Sequence, residues 1–385
     1  MAMTAKATRP EAMRAMRKTP AWSSKPWPKN DFMKWPLAIA DECDTLEGEL
    51  LGAVEFTVSP KQLSRSGLEI PKKGSHHKTI SAWIENEYAA DMSERLKKSK
   101  NSQDPIVIAR DRRMAQQLRS AKAAAKAMME EQWVRDTDRD GALIMKPITV
   151  GQYGEPRLWC TADRWLAMSA TIVSADQLAV DLGVPGGRDE EGGYASVVSP
   201  MTFPIENRPI FWAPIADLTY ANKHGVDGYP AARVAVGRIL ERHPHDRILV
   251  HSVSYEATKI IVDHLRSDPA TRTRPIFTYT SAAERARAID MYLAEPGAVL
   301  VAPSLDRGVD FHGDQCRVQV VLKVPFPSLG DKQISARMNA EGGQSWYTVQ
   351  AVRKLVQMTG RGVRSADDHC TTYILDRAFK NVWNK

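Results

Sequence analysis

The sequence predicts an α/β fold, a mostly parallel sheet covered by helices on both faces, and two observations carry that prediction. From Ile248 onward, short apolar runs alternate with longer helical stretches, the order that strand–helix–strand crossovers produce. The runs Ala298 to Ala302 and Val318 to Val324 are largely apolar, as strands buried on both faces are.

In chain order, residues 1 to about 30 are basic and broken by Pro20, Pro26 and Pro28, the composition of a tail. The stretch 35-WPLAIADECDTLEGEL-50 gives a short strand, Leu37 to Ala40, that runs into a cluster of acids. Between Ser81 and Trp133 the pattern turns helical and charged, with the Ala-rich spacing of solvent-facing helices in 111-DRRMAQQLRSAKAAAKAMMEEQW-133. That block reads as an insertion. Strand-like runs return at 142-ALIMKPITV-150 and 165-WLAMSATIV-173, and 183-GVPGGRDEEGG-193 reads as a loop. The alternation then begins: strand Ile248 to His251, helix from Tyr255, strand Pro275 to Tyr279, and a helix opened by a capping box of Ser281 with Glu284. Two further strands, a helix over 344–364 and a final strand 371-TTYIL-375 complete the pattern.

At 385 residues the chain is long enough for two or three domains. A net charge of +7 and a pI near 9.1 favour an acidic partner, of which nucleic acid is the commonest. Cys43, Cys160, Cys316 and Cys370 form no CxxC pair, so neither a zinc site nor a secreted disulfide framework is indicated, and a reducing, cytoplasmic setting is expected. No apolar run approaches the ~20 residues that cross a bilayer. No membrane partner is expected.

Two stretches carry chemistry. In 354-KLVQMTGRGVRSADD-368, helical spacing would place Gln357, Arg361 and Arg364 on one face. A solvated basic helix is one reading. Against it, Gly360 costs a helix about 1 kcal/mol relative to alanine, and Arg, Arg and Gln without interleaved acids resemble an anion clamp. In 41-DECD-44, acids stand at the C-terminal end of a strand, where open α/β sheets place ligands. An aspartate there can hold Mg²⁺ through water and a glutamate can activate an attacking water, although such acids also serve simply as helix caps.

Taken in order, DECD, 169-SAT-171, 302-APSLDRGVDF-311 and QMTGRGVR resemble superfamily 2 helicases, most closely the DinG/XPD-like branch. The stretches 199-SPMTFPIENRPI-210, 248-ILVHSVSY-255, 319-QVVLKVPFPSLGDK-332 and 367-DDHCTTYILD-376 also look like segments of that family, so the resemblance runs from about residue 35 to 380. It implies a complete C-terminal RecA-like parallel-sheet domain over 201–385. It also implies a partial first RecA-like domain, 31–58 and 142–200, interrupted by a helical arch-like insertion over 59–141.

Residue by residue, the resemblance makes Asp41 the magnesium-holding acid of motif II and Glu42 its water-activating partner. Asp44, Gly308, Asp310 and Gly360 would face the nucleotide, and Gln357, Arg361 and Arg364 would be motif VI, with arginines acting on the γ-phosphate from the second domain. Ser169 and Thr171 would be motif III, linking nucleotide state to the nucleic-acid track. Ser254, Tyr255 and Lys323 are candidate contacts to a single strand. For these three, a helix cap and a packed ring are the competing structural reading.

The family's glycine-rich phosphate loop is missing. The nearest look-alike, 74-GSHHKT-79, lacks the second glycine and follows DECD, whereas that loop precedes motif II in the family. The expected cofactors are ATP and Mg²⁺. The expected partners are single-stranded or forked DNA and a polypeptide bearing the phosphate-loop half of the first domain. The leading expectation is the C-terminal part of an ATP-dependent 5′ to 3′ DNA helicase. The alternatives are a helicase-derived binding module without turnover and an ATPase with an unusual phosphate site.

Overall fold

The computed structural model describes residues 34–72, 74–137, 141–200, 203–303, 305 and 309–383. The basic stretch 1–30 and Gly308 lie outside the described residues. The chain divides into two compact units. The first runs to Ser169 and adds Asp176–Tyr194 and Leu329–Arg337; the second comprises Ala170–Ala175, Ala195–Ser328 and the chain from Met338 on.

In the first unit, β1 (Ala38–Asp41) precedes helix Leu46–Val54 and the short β2 (Phe56–Val58). Ser59 and Gln62 form a capping box that opens helix Pro60–Ser66, which Gly67 closes at φ 64°. Helices His77–Trp83, Ala89–Ser99 and Pro105–Glu130 follow, and β3 (Trp133–Thr137) leads into β4 (Leu143–Pro147). β4 pairs antiparallel with both β2 and β3. The run at 142–150 is thus a strand, as its apolar residues predict, but it belongs to a small antiparallel sheet. Its alternate residues Leu143 and Met145 bury with Phe56, Val58, Trp133, Ile80 and Met128 in a core shared with the helices. A one-sided core of this kind suits antiparallel strands.

β5 (Trp165–Met168) pairs in parallel with β1, its one partner strand among the described residues, Ala38 beside Trp165 and Asp41 beside Met168. The strand ahead of DECD is expected to be buried, and the structure corrects this: β1, like β5, alternates between half-buried and exposed residues. One face of the pair leaves Leu37, Ile39, Leu166 and Met168 between 41% and 52% exposed.

The second unit holds a six-stranded sheet in which every pairing is parallel. Its strands are β6 (Ile210–Ala216), β7 (Ile248–His251), β8 (Ile276–Thr278), β9 (Val299–Ala302), β10 (Val318–Val321) and β11 (Thr371–Asp376), in the spatial order 6-11-10-7-9-8. β7, β9 and β10 are buried at every position. Successive residues serve opposite cores: Ile248, Val250, Val299, Val301, Val318 and Val320 pack with helices Tyr229–Arg242 and Tyr255–Ser267, while Leu249 and Leu300 join Ala288, Ile289 and Tyr292 of helix Ala282–Ala294. At roughly 1.5–3 kcal/mol per buried large aliphatic side chain, this two-sided burial fixes strand register. This is the RecA-like parallel sheet, accompanied in the first unit by a smaller partial sheet and helical insertions.

Two local expectations are revised. Ser281 occupies the N-cap without a side-chain cap bond, because Glu284 instead accepts the Thr280 backbone N–H and hydroxyl, both at 2.9 Å. The helix expected over 344–364 spans Gly343–Thr359, with Gly360 at its C-cap. Gly360 ends the helix because it gives up the least side-chain packing and favours non-helical backbone.

The segment Leu329–Arg337 is fastened to the first unit by polar groups. Gln333 Nε2 donates to the Ile148 carbonyl at 2.8 Å and Lys146 pairs with Asp331 at 3.3 Å. The guanidinium of Arg337, 6% exposed, lies between the carboxylates of Glu47 and Asp181, the latter at 2.6 Å. Removing one partner of a buried ion group costs on the order of 3–5 kcal/mol. Arg337→Ala should therefore lower unfolding free energy by about that amount in denaturant titration, and a loss below about 1 kcal/mol would show that the triad is not structural.

Candidate functional site

The DECD acids stand where a parallel strand ends and the backbone turns sharply. Asp41 closes β1, and its Oδ1 accepts the Glu42 N–H at 3.0 Å. Glu42 adopts a left-handed conformation, φ 55° and ψ 43°, sparsely populated by non-glycine residues. That turn starts a 3-10 segment, Cys43–Thr45, which buries Cys43 and Asp44 and leaves Asp41 and Glu42 exposed. Strained backbone of this kind persists where surrounding structure enforces it, and it often marks a working site.

Directly after β5, Ser169 Oγ donates to Asp44 Oδ1 at 2.7 Å, so parallel registry places the SAT stretch beside DECD. Two residues on, the chain has passed into the second unit. There Gln357 Nε2 donates to Thr171 Oγ1 at 3.1 Å, and the buried guanidinium of Arg353 donates to the Ile172 carbonyl at 3.2–3.3 Å. Sequence reading passed over Arg353, although it lies four residues before Gln357 on the same helical face.

Arg361 and Arg364 do not share a helix face with Gln357. They lie in the turn beyond Thr359, and the expected single face is corrected accordingly. The residues after β9 gather them instead. Arg361, 5% exposed, donates to the Val309 carbonyl, and Arg364 pairs with the Asp310 carboxylate. A Cβ on Gly362 would overlap the Cys370 side chain, so glycine alone lets the turn lie flat on the start of β11. Gln319 Nε2, on β10, reaches both the Thr359 carbonyl and Cys370 Sγ at 3.4 Å.

Ser254, Tyr255 and Lys323 follow the C-terminal ends of β7 and β10, the neighbouring strands where the sheet order reverses. That edge is where open parallel sheets bind ligands. Ser254 caps its helix, Oγ accepting the Ala257 N–H at 3.2 Å. The Tyr255 ring is half exposed rather than packed. Lys323 is partly buried beside Asp376, whose carboxyl is pushed up by burial while the Ala378 and Val324 N–H bonds and the Lys323 charge oppose the shift. Among the described residues, no group of three or more His, Cys, Asp or Glu could hold a metal ion, and no helix is long and apolar enough to cross a membrane. Magnesium bound through one or two carboxylates and phosphate oxygens needs no such cluster, and the exposed Asp41 carboxylate fits that mode.

Residues 236–385 match the helicase C-terminal domain family. The ATP-dependent DNA helicase YoaA of Escherichia coli K12 is 26% identical over 251 residues, 63% of this chain and 38% of that protein. The Fanconi anemia group J protein homolog of Gallus gallus is 29% identical over 102 residues, 23% of this chain and 8% of that protein. The chain thus spans well under half the length of these curated relatives. The solved structure of S. tokodaii Xpd4 superposes with a TM-score of 0.55 and 14% identity, covering 97% of this chain and 77% of that one, which establishes a shared fold. Residues 236–385 thus form a region of the helicase C-terminal domain type, and the chain's motif order and six-stranded parallel sheet are similar to those of superfamily 2 helicases of the DinG/XPD-like branch.

Proposed function

We propose that this chain supplies motifs II to VI of an ATP-dependent DNA translocase that moves 5′ to 3′ on single strands, and that it works with a segment bearing a glycine-rich phosphate loop. The observation that carries this reading is the SAT stretch, bonded at Ser169 to Asp44 and at Thr171 to Gln357. Within the first unit the stretch meets the acid turn, and within the second it meets helix Gly343–Thr359. Bound Mg–ATP would supply the phosphoanhydride and the metal's charge. Asp41 would hold the ion through water, Glu42 would take a proton from the attacking water, and Arg361 and Arg364 would neutralise charge on the phosphoryl oxygens. Asp44, Asp310 and Gly360 shape the surrounding turns.

The domain limits we propose follow the sequence reading: 31–58 and 142–200 for the partial first domain, 59–141 for the arch-like insertion and 201–385 for the second. The partner requirement is supported by the bare face of β1 and β5. Parallel strands are ordinarily covered on both faces, and this face presents Leu37, Ile39, Leu166 and Met168 to solvent. A segment that adds parallel strands and a covering helix would bury it. A second reading, a nucleic-acid-binding module without turnover, is favoured by one observation: Arg361 and Arg364 are already engaged by Val309 and Asp310.

Three measurements separate these readings. ATP turnover in the chain combined with its phosphate-loop segment should be stimulated by single-stranded DNA and fall at least about 100-fold in Glu42→Gln; DNA binding without any turnover in the wild type would favour the binding module. Ile39→Asp with Leu166→Asp should abolish association with that segment while leaving the melting of the second unit unchanged, and undiminished association would remove this face from the interface. Lys323→Glu should weaken single-strand affinity and reduce the slope of log affinity against log salt by roughly one counterion. An unaltered slope would take Lys323 off the track.

A further inference from the structure

Asp368, 5% exposed, has been given no role above, yet its carboxylate gathers four donors, two from the 313–317 stretch and two from its own loop. Oδ2 accepts the backbone N–H groups of Gly313 and Arg364, each at 3.2 Å. Oδ1 accepts Arg317 Nη1 at 2.7 Å and the His369 N–H at 3.0 Å. Arg317 also reaches the His369 carbonyl at 3.1 Å and pairs with Asp314 at 2.7 Å, so the guanidinium braces the carboxylate from below. The bond to the Arg364 N–H fixes that residue's backbone, while its side chain pairs with Asp310, three residues before Gly313. Both ends of Arg364 are thereby referred to one loop.

We propose that Asp368 is a positioning residue that locks the Arg364 turn to the 309–313 loop and so sets where the Arg364 guanidinium stands. The consequence for catalysis rests on the phosphate-facing role proposed for Arg364. The geometry also distinguishes charge and acceptor pattern from mere bulk. Each carboxylate oxygen faces only donors, so the isosteric Asn must turn an N–H₂ toward either Arg317 or the two backbone N–H groups. A space-filling role would tolerate that change. A locking role would not.

The test compares Asp368→Asn and Asp368→Ala with wild type by amide hydrogen exchange on the chain. Exchange in 309–316 and 361–369 should quicken at least about tenfold in both variants, with the amides of β7, β9 and β10 unchanged. Wild-type protection in Asp368→Asn, or loss spread evenly over the sheet, would overturn the proposal. In the assembled ATPase, kcat should fall about tenfold with little change in KM, and Arg364→Ala added to Asp368→Asn should cost much less than Arg364→Ala alone. Full additivity of the two substitutions would overturn the link to Arg364. If the wild-type assembly turns over no ATP, the reading of Arg364 fails, while the exchange experiment still decides whether Asp368 holds the turn.

Discussion

Parallel strands donate and accept hydrogen bonds on both edges and carry side chains on both faces, so their stability depends on covering those faces. For the central strands of the second unit that requirement is met: β7, β9 and β10 are buried at every position, and alternate residues pack into two separate cores. Helices can cover both faces only if each connection crosses from one end of the sheet to the other. Loops therefore collect at the C-terminal edge, and Ser254, Tyr255, Lys323 and the 309–313 loop stand there because of the topology. Among the described residues the same constraint is unmet on one face of β1 and β5, where Leu37, Ile39, Leu166 and Met168 are exposed.

Three buried polar side chains take partners that define the candidate site. Asp44 takes the Ser169 hydroxyl, Arg353 takes the Ile172 carbonyl, and Asp368 takes four donors. Such bonds are individually modest, about 0.5–1.5 kcal/mol net, but a buried group left unmatched costs 1–3 kcal/mol. A change of contact at one of these points must therefore be matched by another.

The fold of the second unit was legible because its signal is redundant. Apolar runs of strand length, separated by amphipathic stretches of helix length, leave few competing arrangements. The strand at 143–147 was legible as a strand but not in its pairing, since antiparallel partnership with β2 and β3 depends on which face the helical block covers. The acids of DECD and the arginines of GRGVR were readable as residue types in a familiar order. Their geometry was not. The left-handed turn at Glu42 and the end of the helix at Gly360 are local backbone events that periodicity averages away. Asp368 carries no such signal, because its partners from the 313–317 loop, the Gly313 N–H and the Arg317 guanidinium, lie more than 50 residues away in the chain and follow no spacing rule.

Ending the helix before Arg361 has a physical consequence that a continuous helix would not share. On a helix, the two arginines would be fixed by the backbone at Cβ positions spaced along one face, and only side-chain torsions could adjust them. In the observed turn, Gly362 lets the backbone lie against Cys370 while the Arg361 guanidinium reaches the Val309 carbonyl, which leaves Arg361 buried and Arg364 partly exposed. The two guanidinium groups thereby acquire different environments. Arg361, anchored by a carbonyl, is suited to a fixed electrostatic role, whereas Arg364, paired with an exposed carboxylate, can exchange Asp310 for another anion at little cost because surface ion pairs contribute only about 0–1 kcal/mol. Under the proposed phosphate-facing role, a triphosphate, carrying more negative charge than a single aspartate, would compete for that second arginine.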